Sequence, residues 1–79
     1  MITPEQCRAA RALLDWTQKD LAGRSKISDL TIRNFERHNT TLKQSTAKLL
    51  RLVFEAEGVV LLDPNGGGPG ARLAKPAED

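Results

Sequence analysis

Between positions 29 and 37 the chain sets out Asp29, Leu30, Arg33, Asn34 and Arg37, side chains whose groups match the edges of nucleic-acid bases. An arginine forks onto the two acceptors of guanine and an asparagine pairs with the donor and acceptor of adenine. An aspartate accepts from cytosine N4, and a leucine packs on a thymine methyl. Asp29, Leu30, Arg33 and Asn34 are therefore the candidate base readers. The same residue types also make an ordinary solvated helix surface, so composition alone leaves both readings open.

Reading bases needs a rigid element underneath, and the local sequence supplies one. Ser28 is a good N-cap, with Ile27 before it and Ile32 at the fourth helical position to close a hydrophobic staple. Ile32 and Phe35, three apart, turn to a core and leave the polar set on the other faces. A second start lies just upstream. Thr17 caps it, Asp20 stands at the third helical position as a variant of the capping box, and Trp16 and Leu21 form the staple. Starts this close leave room only for a tight turn. The pair reads as a helix-turn-helix whose second helix is free to enter a DNA major groove.

The formal charge of +2 says little, but its distribution says more: from Thr17 to Arg51 there are eight Lys or Arg against three acids. Such a patch suits phosphate binding, or simply a solvated helical surface. The candidate backbone-contacting and positioning residues are Thr17, Gln18, Arg24, Lys26, Ser28, Thr31, Arg37, Asn39, Thr40 and Lys43. Gln18 sits at the positive end of its helix dipole, where an amide suits a phosphate.

TQKDLA followed by ISDLTIRNFER resembles the Cro/repressor-type helix-turn-helix family, also called the xenobiotic response element family. The match lies in the Thr-Gln opening, the Leu-Ala pair, the Ser N-cap, the Ile four residues on and the aromatic-Glu-Arg ending, and it covers roughly Cys7 to Val59. The resemblance implies a lambda-repressor-like fold, double-stranded DNA as partner and a phosphate-facing Gln18. Lys26 and His38 depart from the pattern, standing where the family usually has Gly; a side chain in left-handed geometry costs on the order of 1 kcal/mol.

At 79 residues the chain is expected to form a modest core and no sizeable substrate pocket. No nucleophile-base pair or carboxylate cluster is visible, so an enzyme is not expected. Cys7, the lone cysteine, reads as a half-buried small hydrophobe, and the single His38 lacks partners at metal-ligand spacing. No metal, cofactor or small-molecule ligand is expected. With neither a charged-then-apolar leader nor an apolar run of membrane length, the expectation is a cytoplasmic protein without a membrane partner.

Thr3, Pro4 and Gln6 open a first helix running to about Leu14, with Cys7, Ala10 and Leu14 inward and Arg8 and Arg11 pointing away. Trp16 reads as a core plug. In the loop after Arg37, Asn39 is the candidate for the left-handed position. A fourth helix is predicted from about Thr41, with Gln44 completing its start, to Gly58; its apolar set is wider than one stripe, and Leu52 is free for a second subunit. Val59 to Leu62 reads as a strand, Ala71 to Leu73 as another, and the Gly-rich run between them as a turn rather than a phosphate loop. A two-stranded ribbon alone is marginal, which favours a sheet shared across a dimer through Val59, Val60, Leu61 and Leu62.

The expected architecture is mainly α: a four-helix helix-turn-helix domain over 1–58, a short C-terminal strand or hairpin over 59–73 serving dimerisation, and a disordered tail over 74–79. The expected function is that of a sequence-specific transcriptional regulator, a homodimer on a palindromic operator. The alternative is an antitoxin or anti-activator module that binds a protein partner through its C-terminal strand.

Overall fold

Three of the four helices begin where a hydroxyl takes up a free backbone amide. Thr3, Thr17 and Ser28 accept from the amides of Gln6, Asp20 and Thr31 at 3.1, 3.0 and 3.2 Å in the computed structural model, which describes residues 1–63 and 67–74. The helices are α1 (Pro4–Leu14), α2 (Gln18–Ser25), α3 (Asp29–Glu36) and α4 (Gln44–Ala56), followed by strands β1 (Val59–Leu62) and β2 (Gly70–Leu73). In α1 and α2 the capping is reciprocal, with Gln6 and Asp20 accepting from the Thr3 and Thr17 amides at 2.9 and 2.8 Å. The middle of the expected turn, 64–66, and the expected disordered tail from residue 75 lie outside the described residues.

Helix ends depart from glycine chemistry. Asp15, Lys26 and His38 all adopt left-handed backbone, with φ of 57, 62 and 63°. The position assigned to Asn39 is taken by His38 instead. The His38 amide donates to Phe35 O at 3.0 Å and the Asn39 amide to Asn34 O at 2.9 Å, the paired closure in which the residue just past the cap must be left-handed. Gly58, at φ 87°, closes the end of α4 as anticipated.

The start of α4 also shifts. It begins at Gln44, after Lys43, with no side-chain cap, rather than near Thr41. Leu42 packs against the core, and that anchor keeps the chain out of the helix until Leu42 is placed.

The core gathers Cys7 and Ala10 of α1, Leu21 of α2, Ile32 and Phe35 of α3, Ala47, Leu50 and Phe54 of α4, and Val59 and Leu61 of β1. Trp16 is half-buried and stacks on Phe54, ring centroids 6.1 Å apart. It plugs the junction of α1 and α2 as its place beside a cap implied.

β1 and β2 pair antiparallel within one chain, Val59 opposite Leu73 and Leu62 opposite Gly70. This corrects the preference for strands completed by a second chain. Gln6 explains the outcome: its Nε2 donates to the carbonyls of Leu62 and Gly70 at 2.8 and 3.1 Å, pinning both strands to α1. Val59 and Leu61, 1% and 4% exposed, are core residues of the chain itself rather than surface residues; Val60 is half-buried and Leu62 exposed. Among the described residues no helix is long and apolar enough to cross a membrane.

Candidate nucleic-acid interface

α2 and α3 are joined by three residues, Lys26, Ile27 and Ser28, so the second helix follows the first after a tight reversal. Ile32 and Phe35 hold α3 from below, both buried. On its other faces Leu30 is 56% exposed, Arg37 is exposed, and Asp29, Arg33 and Asn34 are half-buried. At the head of α3 the Ser28 hydroxyl donates to Thr31 Oγ1 at 2.8 Å while accepting from the Thr31 amide. That fixes both hydroxyls at the positive end of the helix.

Beside this face, Thr31 and Asn34 of α3 meet Thr40, Thr41, Leu42, Lys43 and Thr46 around one concavity of about 380 Å³. Hydroxyls, an amide and an ammonium line it, next to the first turn of α4, whose backbone amides have no side-chain cap. Such donors suit phosphate oxygens. Thr31, Asn34, Thr40 and Lys43 are thus brought together. Thr46 was missed, being a lone threonine whose place depends on where α4 starts.

The cations divide in two. Arg8, Arg11, Arg24 and Arg51 each have a carboxylate partner: Glu5 at 3.9 Å, Glu36 at 2.7 Å, Glu57 at 3.5 Å and Glu55 at 3.2 Å. Lys19, Lys26, Arg33, Arg37, Lys43, Lys48 and Arg72 have none among the described residues, and four of these seven lie on α3 and the segments that flank it. Arg24 accordingly leaves the interface set. Its guanidinium lies 4.8 Å over the Trp16 ring and is tied to Glu57 at the end of α4. His38 also turns away, its Nε2 2.9 Å from Glu5 Oε2 on α1. Asn39 is exposed in the loop, and Thr17, exposed, is engaged in its capping box.

Gln18 faces inward rather than outward. One of its side-chain N–H groups donates to Glu36 Oε1 at 3.0 Å. Glu36, only 3% exposed, is the centre of a brace joining three helices. It accepts from Arg11 Nε and Nη2 at 2.8 and 2.7 Å and from the Cys7 thiol at 3.1 Å, while Arg8 Nη1 donates to its backbone carbonyl. Burial opposes ionisation of Glu36, but hydrogen bonds from Arg11, Gln18 and Cys7 outweigh it and hold the carboxyl below its usual range. Burial, reinforced by the carboxylate alongside, pushes the Cys7 thiol far up, so it stays a donor.

Arg11 therefore points into the molecule, contrary to its expected outward direction. The signal was present in the spacing: Glu36 stands four residues after Ile32, and Arg11 four after Cys7, each on the core side of its helix. Among the described residues no group of three or more His, Cys, Asp or Glu is placed to hold a metal ion. The search against family models returns no match for this chain, and none of the curated proteins matches it.

Proposed function

We propose that the protein is a helix-turn-helix regulator that binds double-stranded DNA sequence-specifically and acts as a homodimer. One observation carries this reading: the arginines of α1, α2 and α4 are each matched to a carboxylate, whereas α3 and the loop after it present Arg33, Arg37 and Lys43 without an internal partner among the described residues. Unmatched cations grouped on one helix and the loop that follows it are what a polyanion requires.

Asp29, Leu30, Arg33 and Asn34 read base edges from α3. Lys26, Arg37, Asn39 and the Thr40–Lys43 side of the concavity hold the phosphates on either side. Gln18 acts through its hold on Glu36, with its remaining N–H left for the backbone. In a homodimer the two copies of α3 enter successive major grooves, about 34 Å apart. The adaptor reading loses most of its support, because β1 already has β2 as partner and its inward face is buried.

Selection of bound sites from random duplex DNA tests the proposal. A recovered palindrome with half-sites one helical turn apart supports it; recovery of no common sequence at moderate salt sinks it.

A further inference from the structure

α4 has two apolar faces, and the core covers one. Ala47, Leu50 and Phe54 close on it. On the opposite side Ser45, Leu49, Leu52 and Ala56 recur at i, i+4, i+7 and i+11, all exposed, Leu49 at 40% and Leu52 at 52%. That alternation of four and three is the spacing of a seam between two helices. No charge falls within it. One flank, Thr46 and Val53, is half-buried against the chain itself. The other carries Lys48 and Glu55, both exposed; Arg51 beyond them holds Glu55 through Nε at 3.2 Å and bonds Leu61 O through Nη2 at 3.3 Å, so it faces β1 and leaves the rest of the Glu55 carboxylate to solvent.

We infer that a second copy of the chain docks here, α4 against α4, antiparallel about a two-fold axis midway between Leu49 and Leu52. The seam is its own complement under that operation. Leu49 meets Leu52 of the second copy and Leu52 meets its Leu49, while Ser45 opposes Ala56 at both ends, small against small. Lys48 and Glu55, one heptad apart on the same flank, then face each other's opposite charge twice. A two-fold interface demands this reciprocity, in which residue i meets j and j meets i, whereas an unrelated partner does not. A parallel pairing would set Lys48 beside Val53 and leave the charges unmatched.

The inference rests on the homodimer in the proposed function and moves its contact from the strands to α4, keeping Leu52. Two leucines per copy make a small patch, so the free dimer is weak.

Sedimentation equilibrium of the full chain without DNA tests it. The unaltered chain is expected to dimerise below about 200 µM. Leu52→Asp is expected to remain monomeric with an unchanged circular dichroism spectrum, since the side chain is half exposed. Lys48→Glu, which sets like charges against each other, is expected to weaken association about tenfold, and Lys48→Glu with Glu55→Lys to restore it. A monomer at the highest concentration, an Leu52→Asp chain that dimerises as well as the original, or a double swap no better than Lys48→Glu overturns the inference. A chain that dimerises this way yet selects no duplex overturns the proposed function instead.

Discussion

Arg11 closes on Glu36 with two roughly parallel hydrogen bonds, Nε at 2.8 Å and Nη2 at 2.7 Å, across 25 residues of chain. The pair ties α1 to the far end of α3, and its carboxylate is shielded from water. Arg11→Ala strands that charge, and the expected loss is about 3 to 5 kcal/mol of unfolding free energy. Urea denaturation checks this. Arg11→Met combined with Glu36→Gln is expected to lose less than Arg11→Ala, because no buried charge is left over.

Stability is expected to fall in acid, with Glu36 responsible for part of the slope. Its folded pKa lies below the ordinary glutamate value of 4.5, so between the two values the unfolded chain binds more protons. The contribution is complete above about 4.5 and is lost as the pH drops through the lowered value. Melting temperature against pH should be flatter for Glu36→Gln than for the unaltered protein. Equal slopes would show that the brace does not titrate as described.

Helix starts were legible because each cap lies within three residues of its partner, as Thr3 does to Gln6 and Thr17 to Asp20. The spacing of Ile32 and Phe35 likewise marked the buried side of α3. What stayed hidden depends on partners distant in sequence. Gln18 looked like a surface amide until Glu36, 18 residues later, was folded beside it. Thr41 looked like a cap because nothing local announces that Leu42 must first reach the core. Arg24 looked like part of the basic patch, and only Trp16 and Glu57 show where it goes.

Arg33→Ala is expected to weaken binding to the selected site by about 1 to 3 kcal/mol and relax discrimination at one base position. Fluorescence anisotropy on a set of single-position variants measures both. Equal weakening on every duplex would reassign Arg33 to the phosphates.

Lys43→Ala is expected to weaken all duplexes alike and to reduce the slope of log affinity against log salt by about one ion. Arg24→Ala serves as the contrast. Its guanidinium is engaged with Trp16 and Glu57, so the salt slope should not change.

Lys26→Gly should raise stability by up to about 1 kcal/mol, since the residue is exposed, left-handed and without a side-chain partner among the described residues. Thermal unfolding provides the check. The same change removes a cation from the turn, so DNA affinity should drop slightly as stability rises.

Gln6 carries a consequence for the order in which the molecule is made. Its Oε1 finishes the start of α1, while its Nε2 needs the carbonyls of Leu62 and Gly70. On a growing polypeptide that amide lacks its full pair of native acceptors until Gly70 has left the ribosome. Docking of the ribbon therefore locks the opening turn of α1, and a product truncated before Gly70 is held together less firmly at both extremities at once.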